Sequence, residues 1–185
     1  EVPVKIEPNL PGTWQWLGTK TLTFQYDSES INRLPKATEY QVTIPKGTKS
    51  VSGQELQKDV TWTFTTPPPA ITEIWPNPET PLSLEPIFYL SFNQQIDPAS
   101  VLNTITLQSA AGEGTVPKTF SLTLVDEAEI TSDSQLQEHL KNAVEGRWLA
   151  FRPDEPLESS SNYSLIVGPG SPSAEGPLVN QEVQN

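Results

Sequence analysis
The chain has 185 residues, 35% of them hydrophobic and 18% charged, with a formal net charge of −12. Such a length allows one large or two small domains, and the composition excludes both a disordered acidic tail and, with no run of about 18 apolar residues, a bilayer-spanning helix. The absence of cysteine removes disulfides, thiolate nucleophiles, Cys-ligated zinc and a Cys-Gln thioester from this stretch, without fixing its compartment.

Taken in order, Val2, Val4 and Ile6 alternate and predict a strand, and Pro8 to Gly12 predict a turn. Trp14 and Trp16 lie two apart, and Leu22 and Phe24 follow after a Leu17-Gly18-Thr19 turn. This predicts a hairpin whose aromatic residues pack into a core; stacking of the Trp pair on a sugar ring is the weaker alternative. Tyr40, Val42 and Ile44 then take every second position, as do Val60, Trp62 and Phe64, with Gly47 and Gly53 in the loop between them. Period two puts each trio on one face, predicting two adjacent half-buried strands. Thr66 to Ala70 reads as a linker, because Pro67, Pro68 and Pro69 lack donors for a central strand and favour an extended polyproline form. That form is expected to hold two domains at a preferred spacing.

Beyond the prolines, Ile71 to Trp75 predicts a strand, and Asn77-Pro78 and Thr80-Pro81 predict turns. Phe88, Leu90 and Phe92 alternate on one face of a further strand, with Ile87 and Tyr89 opposite. Asn93 to Asp97 breaks that strand and Pro98 to Val101 gives a helical turn. Asp97 lacks the spacing and the oxygen count of a calcium loop and reads as a cap. Ile105 and Leu107, then Phe120, Leu122 and Leu124, resume the alternation. Ser132 to Gln135 has the form of a capping box, and Leu136, Leu140, Ala143 and Val144 suit one helix face. Together they predict one short helix from about Asp133 to Val144. His139, the single histidine, lies on it with no convergent partner in the sequence and reads as a surface residue rather than a ligand or base.

The chain repeats itself. Shifted by 123 positions, Leu34 falls on Leu157, Tyr40 on Tyr163, Ile44 on Val167, Gly47 on Gly170, Ser50 on Ser173 and Gly53 on Gly176. At an offset of 127, Leu22 and Phe24 fall on Leu149 and Phe151. Two copies of one pattern mean two related domains. Leu34 to Tyr40 and Leu157 to Tyr163 both resemble the tyrosine corner of immunoglobulin-like sandwiches, so both tyrosines read as structural. The expected fold is all-β, two tandem immunoglobulin-like (macroglobulin-like) β-sandwich domains, the second with one short inserted helix. The boundaries are 1–66, a Pro-rich linker at 67–70, and 71–185 with the helix near 133–144. The repeat also implies a first domain without its opening strand and a second without its last. A chain that opens on Glu1 and has no methionine is expected to be processed or a piece of a longer one.

Charge divides between the two parts. Through Thr66 seven basic residues balance seven acidic ones, and four basic against sixteen acidic residues follow. Repulsion from phosphates disfavours nucleic acid as a partner. No Ser-His-Asp set, phosphate loop or metal cluster is visible, so an enzyme is not expected. The expected catalytic, cofactor-binding and metal-binding residues are therefore none, and no cofactor is expected.

The wording PGTWQWLGTKTLTF, LPKATEYQVTIPKGTKSVSGQEL, TFTTPPP and PIFYLSFNQQIDPASVLNTITL resembles the N-terminal region of bacterial alpha-2-macroglobulins. The core of the resemblance lies at positions 14–16, 38–42, 64–67 and 92–97. It implies immunoglobulin-like and macroglobulin-like sandwiches in series, within a large periplasmic or cell-surface protease trap. There a protease cuts a bait segment, the trap collapses around it, and in many members a Cys-Gln thioester links to it. None of the family's functional residues maps onto this chain, so the resemblance implies a structural scaffold. Its partners would be other domains of the same polypeptide and the trapped proteases, with membrane contact only through an anchor elsewhere. The alternative is a tandem immunoglobulin-like repeat of a bacterial surface adhesin or carbohydrate-active protein.

Overall fold
In the computed structural model the described residues are 3–78, 80–110, 116–131 and 133–184. The chain divides into two compact units, Glu1–Pro67 and Pro68–Asn185. Its strands form immunoglobulin-like sandwich layers, as the alternation predicts.

Unit 1 has strands β1 (Lys5–Glu7), β2 (Gly12–Leu17), β3 (Thr21–Tyr26), β4 (Glu39–Ile44) and β5 (Val60–Thr65). They form an antiparallel sheet ordered β1-β4-β5 and a hairpin β2-β3. Register places Tyr40 opposite Phe64, Val42 opposite Trp62 and Ile44 opposite Val60, so both predicted trios share one face. Only the β4 side of that face is well covered. Tyr40 and Val42 are buried, whereas Trp62 is 46% exposed and Phe64 37% exposed. The expectation of two half-buried strands therefore holds for β4 and is corrected for β5. The hairpin needs a similar correction: Trp14 is half-buried edge-on to Phe24 at 5.1 Å, but Trp16 is 58% exposed. The sheet layers of this unit have two and three strands, too narrow to bury every aromatic residue on their facing sides.

Unit 2 begins with β6 (Ile71–Trp75), β7 (Phe88–Phe92), α1 (Pro98–Leu102), β8 (Ile105–Ser109), β9 (Thr119–Phe120) and β10 (Leu122–Leu124). After α2 (Glu127–Ile130) and α3 (Ser134–Lys141) it ends with β11 (Trp148–Pro153) and β12 (Tyr163–Val167). One sheet is ordered β10-β11-β7-β6 and the other β12-β8-β9. Phe88, Leu90 and Phe92 enter a core cluster with Leu107, Phe120, Leu149, Phe151 and Val167. Tyr89 faces the other way, into a second cluster with Ile130, Leu136 and Ala150. A strand with apolar residues on both faces needs a layer on each side. The second sheet supplies one, and α2 with α3 the other.

The helical turn predicted at Pro98 to Val101 is α1 and the helix predicted from about Asp133 to Val144 is α3, while α2 is additional. Asp97 caps α1 by accepting from Ser100 N at 3.2 Å. Asp126 likewise caps α2, accepting from Glu129 N at 2.8 Å. At α3, Asp133 Oδ1 accepts from Leu136 N at 3.3 Å. The predicted capping box rests on Ser132, which lies outside the described residues. The helix stops at Lys141 rather than Val144, because Asn142 N and Ala143 N turn back to His139 O and Leu140 O. Val144 is consequently 52% exposed.

The residues predicted as a linker are held by the units. Pro67 O accepts from Ala37 N at 2.9 Å within unit 1. In unit 2, Pro69 is fully buried, and Ala70 exchanges hydrogen bonds with Asn93, its N–H to Oδ1 and its carbonyl from N.

The repeat is geometric as well as textual. Tyr40 Oη donates to Pro35 O at 3.2 Å, and Tyr163 Oη to Glu158 O at 3.1 Å. Between them, Ala37 (φ 53°) and Ser160 (φ 60°) both adopt the left-handed conformation, as do Gly47 and Gly170 after the strand. β3 corresponds to β11, paired with β2 and β10 respectively. β4 corresponds to β12, and Ile6 of β1 pairs with Val42 as Leu107 of β8 pairs with Leu165. Among the described residues of unit 1 there is no counterpart of β6 and β7.

Tyr40 is 1% exposed. We expect Tyr40→Phe to lower the stability of unit 1 by about 1 kcal/mol, the usual net worth of one hydrogen bond, because Pro35 O keeps Thr66 Oγ1 as a donor. An unchanged denaturant midpoint for the unit 1 transition would contradict this.

Candidate functional site
Two places in unit 2 combine concavity with exposed chemistry. The first surrounds His139 on α3. Nδ1 of His139 lies 2.6 Å from Glu73 Oε1 on β6. The ring packs between Trp75 at 5.8 Å and Tyr89 at 5.7 Å. Tyr89 stacks in turn on Trp148 at 5.9 Å. Burial, reinforced by the nearby Glu73 carboxylate, pushes the Tyr89 phenol up to about 12. A cleft of about 140 Å³ opens here, also bordered by Thr72, Ser91 and Arg147.

This cluster explains how α3 is held. Leu136 supplies the apolar anchor beneath the helix, and the Glu73–His139 contact ties its middle to the sheet edge. His139 is therefore not the freestanding surface residue expected from the sequence. Its partner lies 66 positions away, and no local pattern joins them. The cluster lacks a nucleophile beside a base, and among the described residues no group of three or more His, Cys, Asp or Glu could hold a metal ion. Its chemistry is that of packing and one hydrogen-bond contact.

The second place is a cleft of about 340 Å³ along the outer edge of β12. Phe88 and Leu107, both core residues, form part of its floor, and Ile74 and Leu82 stand opposite Leu165. β12 is an edge strand with β8 on one side. On the other, Val167 exchanges both backbone hydrogen bonds with Gln184, each 2.9 Å. The Gln184 side chain reaches across to β6, where Oε1 accepts from Ile71 N at 2.7 Å. The alternation of Tyr163, Leu165 and Val167 shows in the sequence; that their strand borders an open cleft does not. Gln94, fully buried beside the turn after β7, has no hydrogen-bond partner for its side-chain amide among the described residues. Buried amides of this kind are commonly met by ordered water.

Fold and sites together define a class, the immunoglobulin-like β-sandwich module. Residues 3–66 match the family described as "Bacterial Ig-like domain". The chain is 30% identical over 181 residues, 93% of its length, to an alpha-2-macroglobulin homolog of Nostoc sp.. It is 28% identical over 148 residues, 78% of its length, to circularly permutated Ras protein 2 of Dictyostelium discoideum. It spans 9% and 4% of those two proteins, respectively. These matches support the resemblance drawn from the sequence: residues 3–66 match a bacterial immunoglobulin-like domain, and the chain is similar to one stretch of an alpha-2-macroglobulin homolog.

The raised Tyr89 pKa makes stability depend on pH. The folded state holds this proton more tightly than the unfolded state, whose phenol titrates near 10. The resulting stabilisation is complete below about pH 10 and is lost as pH rises toward about 12. We expect the stability of the wild type to decline more steeply across that window than that of Tyr89→Phe, measured by chemical denaturation. Parallel profiles would contradict the assignment.

Proposed function
We propose that this chain is a structural scaffold segment of a bacterial alpha-2-macroglobulin, a broad-range protease trap, and has no catalytic centre of its own. The observation that carries the reading is the similarity to an alpha-2-macroglobulin homolog across 93% of the chain. The architecture supports it. Each unit is spent on sheet pairing and core, and the titratable groups around His139 serve to dock a helix. Trapping would then belong to the rest of the parent protein, with this segment setting the spacing between neighbouring domains.

The proposed partners are the other domains of that polypeptide and, through the whole molecule, the captured proteases. The excess of acid in the second part argues against nucleic acid. The proposed location is periplasmic or on the cell surface. Among the described residues no helix is long and apolar enough to cross a membrane; the proposed membrane contact is through an anchor elsewhere in the parent.

The trap mechanism can be told from active-site inhibition by substrate size. With the full-length parent, a captured serine protease should stop cleaving a large protein substrate while still cleaving a small chromogenic peptide. The isolated chain, added in excess, should alter neither rate. Inhibition by the isolated chain, or equal loss of both activities with the parent, would overturn the proposal.

A further inference from the structure
We propose that the cleft beside α3 binds one carboxylate group carried on a short aliphatic stem, with Arg147 and Tyr89 as its donors. Docking of the helix uses Glu73 and His139 and leaves these two side chains unmatched. Tyr89 is 1% exposed and borders the cleft. Among the described residues its hydroxyl has no hydrogen-bond partner; its contacts are the rings of His139 and Trp148. Nε of Arg147, on the same cleft, is buried and likewise has no partner among the described residues. A buried donor without an acceptor is costly. Two of them on one small cavity point to an acceptor that occupies it.

Charge pairing in unit 2 singles out the same arginine. Four basic residues face sixteen acidic ones after Thr66. Lys118 pairs with Glu155, Lys141 with Glu138 and Arg152 with Glu129. Arg147 is the fourth, and no described carboxylate pairs with it. A guanidinium held apart from acid that surrounds it in such excess suits an anion from outside the chain. The backbone of Arg147 is fixed on both sides: its N–H donates to Val144 O at 3.0 Å, and its carbonyl accepts from Phe92 N at 2.7 Å. The side chain therefore departs from a preset point, which lowers the ordering cost of binding.

The lining selects the kind of anion. A guanidinium fork matches the two coplanar oxygens of a carboxylate. One cation and one hydroxyl suit a single negative charge. A dianion would be repelled by Glu73 on the same wall, whose charge is offset only by the Nδ1 contact of His139. Phe92, Ala143 and Val144 supply an apolar side for a methylene stem. The volume of about 140 Å³ is roughly ten times the ~10–15 Å³ that one water requires, which admits an acid of a few carbon atoms.

The test titrates the whole chain with sodium propionate at constant ionic strength, read by NMR at the Arg147 side-chain Nε–H and the Tyr89 ring. Both signals should shift saturably, and the neutral isostere propionamide should move neither. Arg147→Gln should weaken binding about tenfold or more, the scale of a lost hydrogen bond to a charged group. Tyr89→Phe, which keeps the ring packing, should weaken it several-fold and serves if the arginine variant does not fold. Lys118→Gln removes the same charge away from the cleft and should leave affinity unchanged. A second titration with glutamate blocked at both ends tells the sources apart. Tighter binding of blocked glutamate would support the proposal with a polypeptide side chain as the ligand, and tighter binding of propionate would support it with a free acid. Shifts that do not saturate with either carboxylate would overturn the proposal, leaving a hydrated cleft. Equal binding of propionamide, or equal weakening by Lys118→Gln, would overturn it as well.

Discussion
Both units depend on one hydrogen bond, from a tyrosine hydroxyl to the carbonyl five residues earlier. The bond closes a short crossing into the strand that carries the tyrosine as its first or second residue. The crossing must reverse within a few residues, and it does so through a left-handed residue, Ala37 or Ser160. Left-handed backbone is unfavourable for a residue with a Cβ, so the surroundings must hold it in place. In unit 1, Pro35 O also accepts from Thr66 Oγ1 at 2.8 Å, and Ala37 N donates to Pro67 O. The corner is thereby tied to the end of β5 as well as to the start of β4, and the register of β4 on its neighbours follows from that placement.

Around this shared corner the two units differ in how fully they are layered. In unit 2, β7 carries apolar side chains on both faces, and both are covered. The helices α2 and α3 exist in that setting as a lid for the outer face of a sheet. Their caps, Asp126 and Asp133, satisfy the first free N–H groups that so short a helix leaves. The described residues of unit 1 include neither helices nor counterparts of β6 and β7. Its described buried apolar side chains are Leu10, Ala37, Tyr40 and Val42. Trp62 and Phe64, although matched in register to Val42 and Tyr40, remain on a partly open face.

This contrast bears on function. Modules strung in series keep their geometry through sheets and corners rather than through reactive groups, and the polar residues here are used accordingly. Glu73 and His139 fasten a helix, Gln184 joins the edges of two sheets, and Asn93 secures the entry to unit 2. Each contact is long-range in sequence and local in space, which is how a small all-β unit fixes elements that have little helical or turn propensity of their own.

The sequence by itself determined what short-range chemistry can determine. Alternation marked the strands from Tyr40 and Phe88 onward, because a pleated strand turns successive side chains to opposite faces. The repeated Leu-to-Tyr wording marked both corners, and the absence of cysteine removed a thioester from this stretch. Tertiary structure alone decided the rest. The period of two says that Val60, Trp62 and Phe64 share a face, but whether anything covers that face depends on how many strands lie opposite. The helix α2 has only four residues, too few for a periodic signal. The tie between His139 and Glu73, and the cleft beside β12, come from which strand borders which. That order is set by packing across the sheets, where sequence distance carries no information.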